Sequence, residues 1–286
     1  MAPTPPPILA CLFDMDGLLL DTEDLYSLCT NTLLAEFNKP ALPWSIKAQL
    51  QGRPGPAASD IFFQWAQLPC SREEYLAKQT VLQRKHFPSA APLPGVEDLL
   101  QKLGKAQREG KVEMALATSS HRANFELKTA HLQHLFEDFR QENRVLGDDA
   151  RIPKGRGKPA PDIYLLALET VNARRRLAGE KKDILPEECL VFEDSVPGVE
   201  AGRRAGMQVV WCPHPELLKE YKGREERVLA GLMGEHKEVE EKNESLGVAK
   251  ADGEVKKGAP GEEGDGWGVL LNTLEGFDYA RFGIEV

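Results

Sequence analysis

ILACLFDMDG, residues 8–17, carries six apolar residues straight into two carboxylates, Asp14 and Asp16, set one residue apart and followed by Gly17. A short run that is apolar throughout, rather than alternating, predicts a parallel strand covered on both faces. In open sheets of this kind ligands gather outside the carboxyl ends of the strands. Strand alternation turns Asp14 and Asp16 toward one crevice and Met15 away from it. A carboxylate placed there can attack phosphorus and form an acyl phosphate that water then cleaves. The second acid can protonate the leaving oxygen and later deprotonate the water, provided it starts protonated. Gly17 permits a tight backbone beside a bound phosphate. Taken alone, such a pair more often opens a turn or caps a helix, so the rest of the chain decides.

Working outward, the runs VEMALA (112–117), CLVF (189–192) and MQVVWC (207–212) repeat the apolar signature, and helical patterns separate them from about residue 95 onward. This predicts a doubly wound, Rossmann-like α/β fold with a parallel sheet. Chemistry recurs beside these runs. Thr118 and Ser119 in TSSHR (118–122) offer hydroxyls and backbone N–H groups for an anion at a helix start. Lys158, in GRGKPAPD (155–162), is set among glycines and prolines that could hold its ammonium against a phosphoryl group. Glu193 and Asp194, in EDSVPG (193–198), are hard oxygen ligands suited to Mg²⁺. Each has an ordinary alternative: an N-cap, a solvent-facing lysine, a helix cap. Together, four strand ends or adjoining loops supply the parts of one reaction, which a chance arrangement does not explain.

Between the first two strands the chain is purely helical. Leu25, Leu28, Cys29, Leu33 and Phe37 recur at helical spacing behind the capping candidates Asp21 and Thr22, and Pro40 and Pro43 end that helix. Further helices are predicted over about 57–66 and from Ser71, where SREE has capping-box form. Residues 21–91 are therefore expected as an inserted helical domain, with 1–20 and 92–286 forming the α/β core. Hinges are expected near Gly17 to Asp21 and Pro88 to Pro94. Residues 222–268 are charged, Gly-rich and poor in aromatics, and predict a solvated or disordered insertion with an unassigned partner. After it, WGVLLNTLEGF is expected to return the last strand.

At 286 residues the chain can bury a sizeable core. Its five cysteines show no CxxC pair, as expected for reduced structural thiols. A net charge of −9 argues against general nucleic-acid binding. The start shows neither a basic n-region nor a long apolar run, so no membrane association is expected and a cytoplasmic protein, or equally a nuclear one, is predicted.

The motifs resemble those of the haloacid dehalogenase-like phosphohydrolases: DMDG the first, Thr118 of ALATSS the second, Lys158 of GKPAPDIY the third, and VFEDSVPGVEAGRRAGM the fourth. The helical insertion lies where that family places its type-one cap. The strings LFDMDGLLLDTEDLYS, ALATSSHRANFELKT, RVLGDD and GKPAPDIYLLAL, with the ending LLNTLEGFDYARFGI, are most similar to the pseudouridine-5′-phosphatase group. The linker DDARIPKGRGK and the 222–268 insertion depart from its compact members. The resemblance implies Asp14 as nucleophile and Mg²⁺ ligand, Asp16 as general acid/base lending its backbone carbonyl to the metal, and Asp194 as a further ligand. It implies Glu193 as a direct or water-mediated ligand, with Thr118 and Lys158 on the phosphoryl group. LQGRPG (50–55) matches the cap loop facing the site, which makes Arg53 a candidate substrate contact. The implied activity is Mg²⁺-dependent hydrolysis of a small phosphomonoester, pseudouridine-5′-phosphate foremost, through an aspartyl-phosphate in a monomeric enzyme. Sugar-phosphate and glycerol-phosphate phosphatases and a phosphomutase share the motif order. A catalytically silent binding protein is the contrasting reading, against which the intact motifs weigh.

Overall fold

The computed structural model describes residues 5–53, 55–234 and 258–286. Six strands, β1 (Ala10–Phe13), β2 (Glu113–Ala117), β3 (Arg144–Val145), β4 (Cys189–Glu193), β5 (Gln208–Trp211) and β6 (Gly268–Leu270), form one sheet in the order β3-β2-β1-β4-β5-β6. Every pairing is parallel. β1 lies inside the sheet, with Phe13 in register with Leu116 on one side and Phe192 on the other. Side-chain alternation divides the strands between two cores. Cys11, Phe13, Met114, Leu116, Leu190 and Phe192 join one, and Ala10, Leu12, Ala115, Ala117 and Val191 the other. Burial on both faces accounts for the unbroken apolar runs.

Four helices occupy the connection from β1 to β2 before the sheet is rejoined: α1 (Glu23–Glu36), α2 (Trp44–Leu50), α3 (Gly55–Ala66) and α4 (Arg72–His86). They share a small core of Leu33, Leu34, Phe62, Ala66 and Tyr75. Ser71 caps α4 as expected, its Oγ accepting from the Glu74 backbone N–H at 3.1 Å. Thr22 does not cap α1; its hydroxyl serves the site instead. The chain enters and leaves this block through two segments lying side by side. Leu20 bridges Pro92 in antiparallel fashion, the Asp21 N–H donates to the Ala91 carbonyl at 2.9 Å, and the Leu93 N–H donates to the Leu19 carbonyl at 3.1 Å.

The remaining helices are α5 (Val96–Arg108), α6 (Arg122–Thr129), α7 (Gln133–Phe136), α8 (Asp162–Leu177), α9 (Val196–Arg204), α10 (Pro215–Glu220) and α11 (Glu225–Leu229). α5 covers one face of the sheet through Leu99, Leu100 and Leu103, and α8 covers the other through Ile163, Ala167 and Val171. The 222–268 stretch corrects its expectation at both ends. Val228 and Leu229 of α11 are buried against the second core, because this part of the stretch carries apolar residues at helical spacing. The Gly258 N–H donates to the Arg204 carbonyl and the Gly261 N–H to the Ala230 carbonyl, each at 2.8 Å. Asp265 pairs with Arg203 just ahead of β6. The expectation for 235–257 lies outside the described residues. All five cysteines are free, and no described helix is long and apolar enough to cross a membrane.

Candidate active site

β1 carries Asp14 to the sheet's carboxyl edge, where its N–H still donates to the Phe192 carbonyl at 3.0 Å. β4 brings Glu193 and Asp194 beside it, and the loop before α8 brings Lys158. Asp14, Glu193 and Asp194 are all buried, and one oxygen of each lies within 4.8 Å of the others. Lys158 Nζ ion-pairs with Asp14 Oδ1, sits 2.6 Å from Glu193 Oε1 and donates to the Ala117 carbonyl at 3.1 Å. Burial alone would lower the Lys158 ammonium, but Asp14 and then Glu193 outweigh it and hold it above the usual lysine range.

Glu193 is fully engaged. Its Oε1 also accepts from the Tyr164 hydroxyl at 2.6 Å, and its Oε2 accepts from the Asp194 N–H, the Ser195 N–H and the Ser195 hydroxyl, each at 3.0 Å. The residue thus organises Lys158 and the turn into α9, while Asp14 and Asp194 offer the less committed oxygens. Burial first, then Glu193 and Asp16, push Asp14 up to about 7 against the opposing pull of Lys158. Burial, Glu193 and Asp14 likewise hold Asp194 well above the usual carboxylate range. Three clustered acids facing one ammonium leave an excess of negative charge on hard oxygen donors, a donor set that fits a divalent cation such as Mg²⁺. Gly17, at φ +77°, is required by this crowding, since a Cβ there would collide with the Asp194 carboxylate.

Asp16 stands in a separate network. Its Oδ1 accepts from Lys128 Nζ at 2.5 Å and from the Thr22 hydroxyl at 2.7 Å, and its Oδ2 from the Ser120 hydroxyl at 2.6 Å. Burial by itself would raise this carboxyl, yet Lys128 and the surrounding donors hold it below the usual range. An acid that enters the reaction protonated is therefore not the form shown: three donors stabilise the carboxylate. Thr118 is buried next to it, its Oγ1 accepting from the Ser120 N–H at 3.1 Å.

The loop after α2 closes over these groups. The Ser119 hydroxyl donates to the Gly52 carbonyl at 3.3 Å, and Gln51 Nε2 donates to Asp194 Oδ2. Gly52 has φ +74°, and a Cβ on it would strike the Ser195 hydroxyl, so loop and core fit without spare room. Beneath lies a cavity of about 440 Å³ that reaches from Asp14, Asp16, Asp194, Thr118 and Ser119 into the helical block, where Tyr26, Lys47, Phe62 and Gln83 line it. Arg53 also lines it, with Nε donating to the Gln49 carbonyl at 2.6 Å. Of the site residues expected from the sequence, Asp14, Asp16, Arg53, Thr118, Ser119 and Asp194 line this cavity, and Lys158 reaches it through its ion pair with Asp14 while holding Glu193.

Residues 8–206 match the family model of the haloacid dehalogenase-like hydrolases. The chain belongs to this family. A protein of Saccharomyces cerevisiae named "Probable pseudouridine-5′-phosphatase" is 43% identical to this hydrolase over 227 residues, 79% of this chain and 91% of that protein. An Arabidopsis thaliana protein named "(DL)-glycerol-3-phosphatase 1, mitochondrial" is 36% identical over 225 residues, 78% of this chain and 70% of that one. Among solved structures, a HAD family hydrolase from Deinococcus radiodurans R1, determined with bound phosphate and sodium, superposes with a TM-score of 0.53 at 27% identity, covering 73% of this chain and 82% of that one.

Four residues of this hydrolase's site escape sequence reasoning. Lys128 lies three residues beyond Phe125 in α6 and shares its buried face, so a charge on an apolar stripe is the signal that could have found it. Tyr164 in α8 is similar, a polar tip among buried apolar neighbours. Ser120 stood in the quoted TSS run beside its two named neighbours. Gln51, in the quoted loop LQGRPG, gives no local signal.

Proposed function

We propose that this HAD-like hydrolase is a phosphatase of a small phosphomonoester, with pseudouridine-5′-phosphate the leading substrate, and that it works through a phosphoryl group carried on Asp14. The observation that carries the reading is Asp14 on the wall of the cavity between sheet edge and helical block, with the Lys158 ammonium on one oxygen and Asp194 alongside. The yeast and plant relatives, both named as phosphatases, support the reaction class.

In this reading Asp14, Asp194 and the backbone carbonyl of Asp16 would hold Mg²⁺, which when bound offsets the charge on the phosphoryl oxygens and on Asp14. Thr118 and Ser119 orient the phosphoryl group, and Lys158 faces the charge that accumulates on it during transfer. Attack by Asp14 on phosphorus breaks the bond to the leaving oxygen, which takes a proton from Asp16. Water then attacks the phosphoryl group, its proton passes to Asp16, and inorganic phosphate leaves Asp14 free. The Asp16 carboxylate, encircled by Lys128, Thr22 and Ser120, is the form that belongs between these two transfers. The helical block of residues 21–91 acts as the cap whose cavity wall selects the leaving group, with Arg53 among its contacts.

The decisive experiment is phosphate release from an aryl phosphate with Mg²⁺. Asp14→Asn should lower it by roughly three orders of magnitude or more, the scale on which loss of a nucleophile is felt; wild-type turnover in that variant rejects the assignment. A release screen over pseudouridine-5′-phosphate, other nucleoside monophosphates, sugar phosphates and glycerol phosphates should favour the first. Isomer interconversion without phosphate release would instead establish a mutase.

A further inference from the structure

The closed loop touches the acid cluster through the side chain of Gln51. Its residue exposure is 6%, its Nε2 donates to Asp194 Oδ2, and its Oε1 is buried without a hydrogen-bond partner. An unpartnered buried amide oxygen is costly to keep. The loop cannot relieve it by moving inward, because Gly52 already abuts Ser195 and its carbonyl accepts from Ser119. The Gln51 backbone is tied as well, its N–H donating to the Lys47 carbonyl at 3.1 Å. Only the amide itself is free to turn, about its terminal torsion, where rotation barriers are soft.

Which way it turns depends on charge. Against Asp194 alone, the N–H end of the amide meets an acceptor oxygen, the arrangement seen here. A cation sharing that carboxylate weakens its hold on the N–H end and offers the amide oxygen a partner, either the cation itself or a water bound to it. We propose that Gln51 is an amide switch, placing N–H on Asp194 when no cation is present and Oε1 toward the cation's coordination shell when one is. Its unpartnered oxygen then acquires a partner, so cation binding and seating of the 50–53 loop reinforce one another, as linkage requires. Gln51 is a positioning residue here, acting on Asp194 and on the loop rather than on the phosphoryl group.

This inference rests on the reading that Asp14 and Asp194 take a cation, and the experiment separates the two. Mg²⁺ affinity of the full chain is measured by titration calorimetry, with amide hydrogen exchange of residues 50–53 followed with and without Mg²⁺. In the wild type, Mg²⁺ should slow exchange in that loop. Gln51→Met, which preserves length and apolar burial, should bind Mg²⁺ about ten-fold more weakly, at the lower end of what loss of an outer partner costs a metal site, and the loop should no longer respond. Gln51→Glu, which keeps an oxygen, should bind at least as tightly as the wild type. Unchanged or tighter binding by Gln51→Met overturns the switch, the tighter result meaning that the amide only competes with the cation. Weakened binding by Gln51→Glu overturns it too. Asp194→Asn is the separate control: wild-type affinity there rejects the cation reading itself. Lost affinity there with retained affinity in Gln51→Met rejects the Gln51 inference alone.

Discussion

Lys128 has its whole side chain inside the protein and spends its three donors on Asp16, Ser120 and Tyr26. Lys128→Met would strand the Asp16 carboxylate among hydroxyls with no countercharge. Breaking a buried pair in this way costs about 3–5 kcal/mol, a loss to be read from the midpoint of urea unfolding; a midpoint equal to the wild type would mean that Asp16 is solvated from the cavity. Gly17→Ala should also destabilise, by more than about 1 kcal/mol, because alanine is strained at φ +77° and its methyl has no room beside Asp194. Its effect on turnover should exceed its effect on the unfolding midpoint, since the displaced group belongs to the site. Asp14, Asp16, Asp194 and Lys158 were legible because each stands at or near the end of an apolar run or in a stiffened loop, a local pattern. Lys128 and Gln51 meet their acids across 112 and 143 positions of sequence. No periodicity within a helix can report a partner that only the closed sheet and block bring near.

The strands were legible for the same local reason, while the contacts between elements were not. β3, two residues long, is too brief to leave an apolar signature. Thr22 looked like a cap by residue type and was recruited by Asp16 instead. α11 was hidden in a stretch judged by its average charge, although Val228 and Leu229 carry the packing. One contact between elements makes a pH prediction. His214, at the start of α10, stacks on Trp44 of α2 with ring centroids 4.5 Å apart. Burial first, and then Lys47, hold its imidazole below the usual histidine value, against the opposing pull of Asp24, Glu23 and Asp21. A base whose folded value is depressed binds its proton more readily when unfolded. Its contribution to stability is therefore full above the unfolded value of about 6.5 and is lost as the pH falls through the lower, folded value. Unfolding midpoints should drop as the pH falls below about 6.5, and His214→Gln should flatten that part of the curve. An identical slope in the variant would place the titration elsewhere.

For the molecule as a whole, the proposed cation site among the buried acids at one sheet edge predicts that folding and cation binding are coupled. If Asp14 and Asp194 accept Mg²⁺ only in the folded chain, saturating the ion at a hundred times its dissociation constant should add about 2.7 kcal/mol of stability. A thermal melt with Mg²⁺ against one with chelator measures this, and the same chelator should abolish phosphate release until Mg²⁺ is restored. Coincident melts would show that the acids do not hold the ion in the native state. The side-by-side crossings at Leu20 and Pro92 add a mechanical property. A leaf hung on two adjacent straps can swing about the line joining them but resists swivelling, because any twist would have to stretch one strap against the other. Any opening of the helical block would then run along a single arc, and each return would bring the 50–53 loop down on the same carboxylate without a search through orientations.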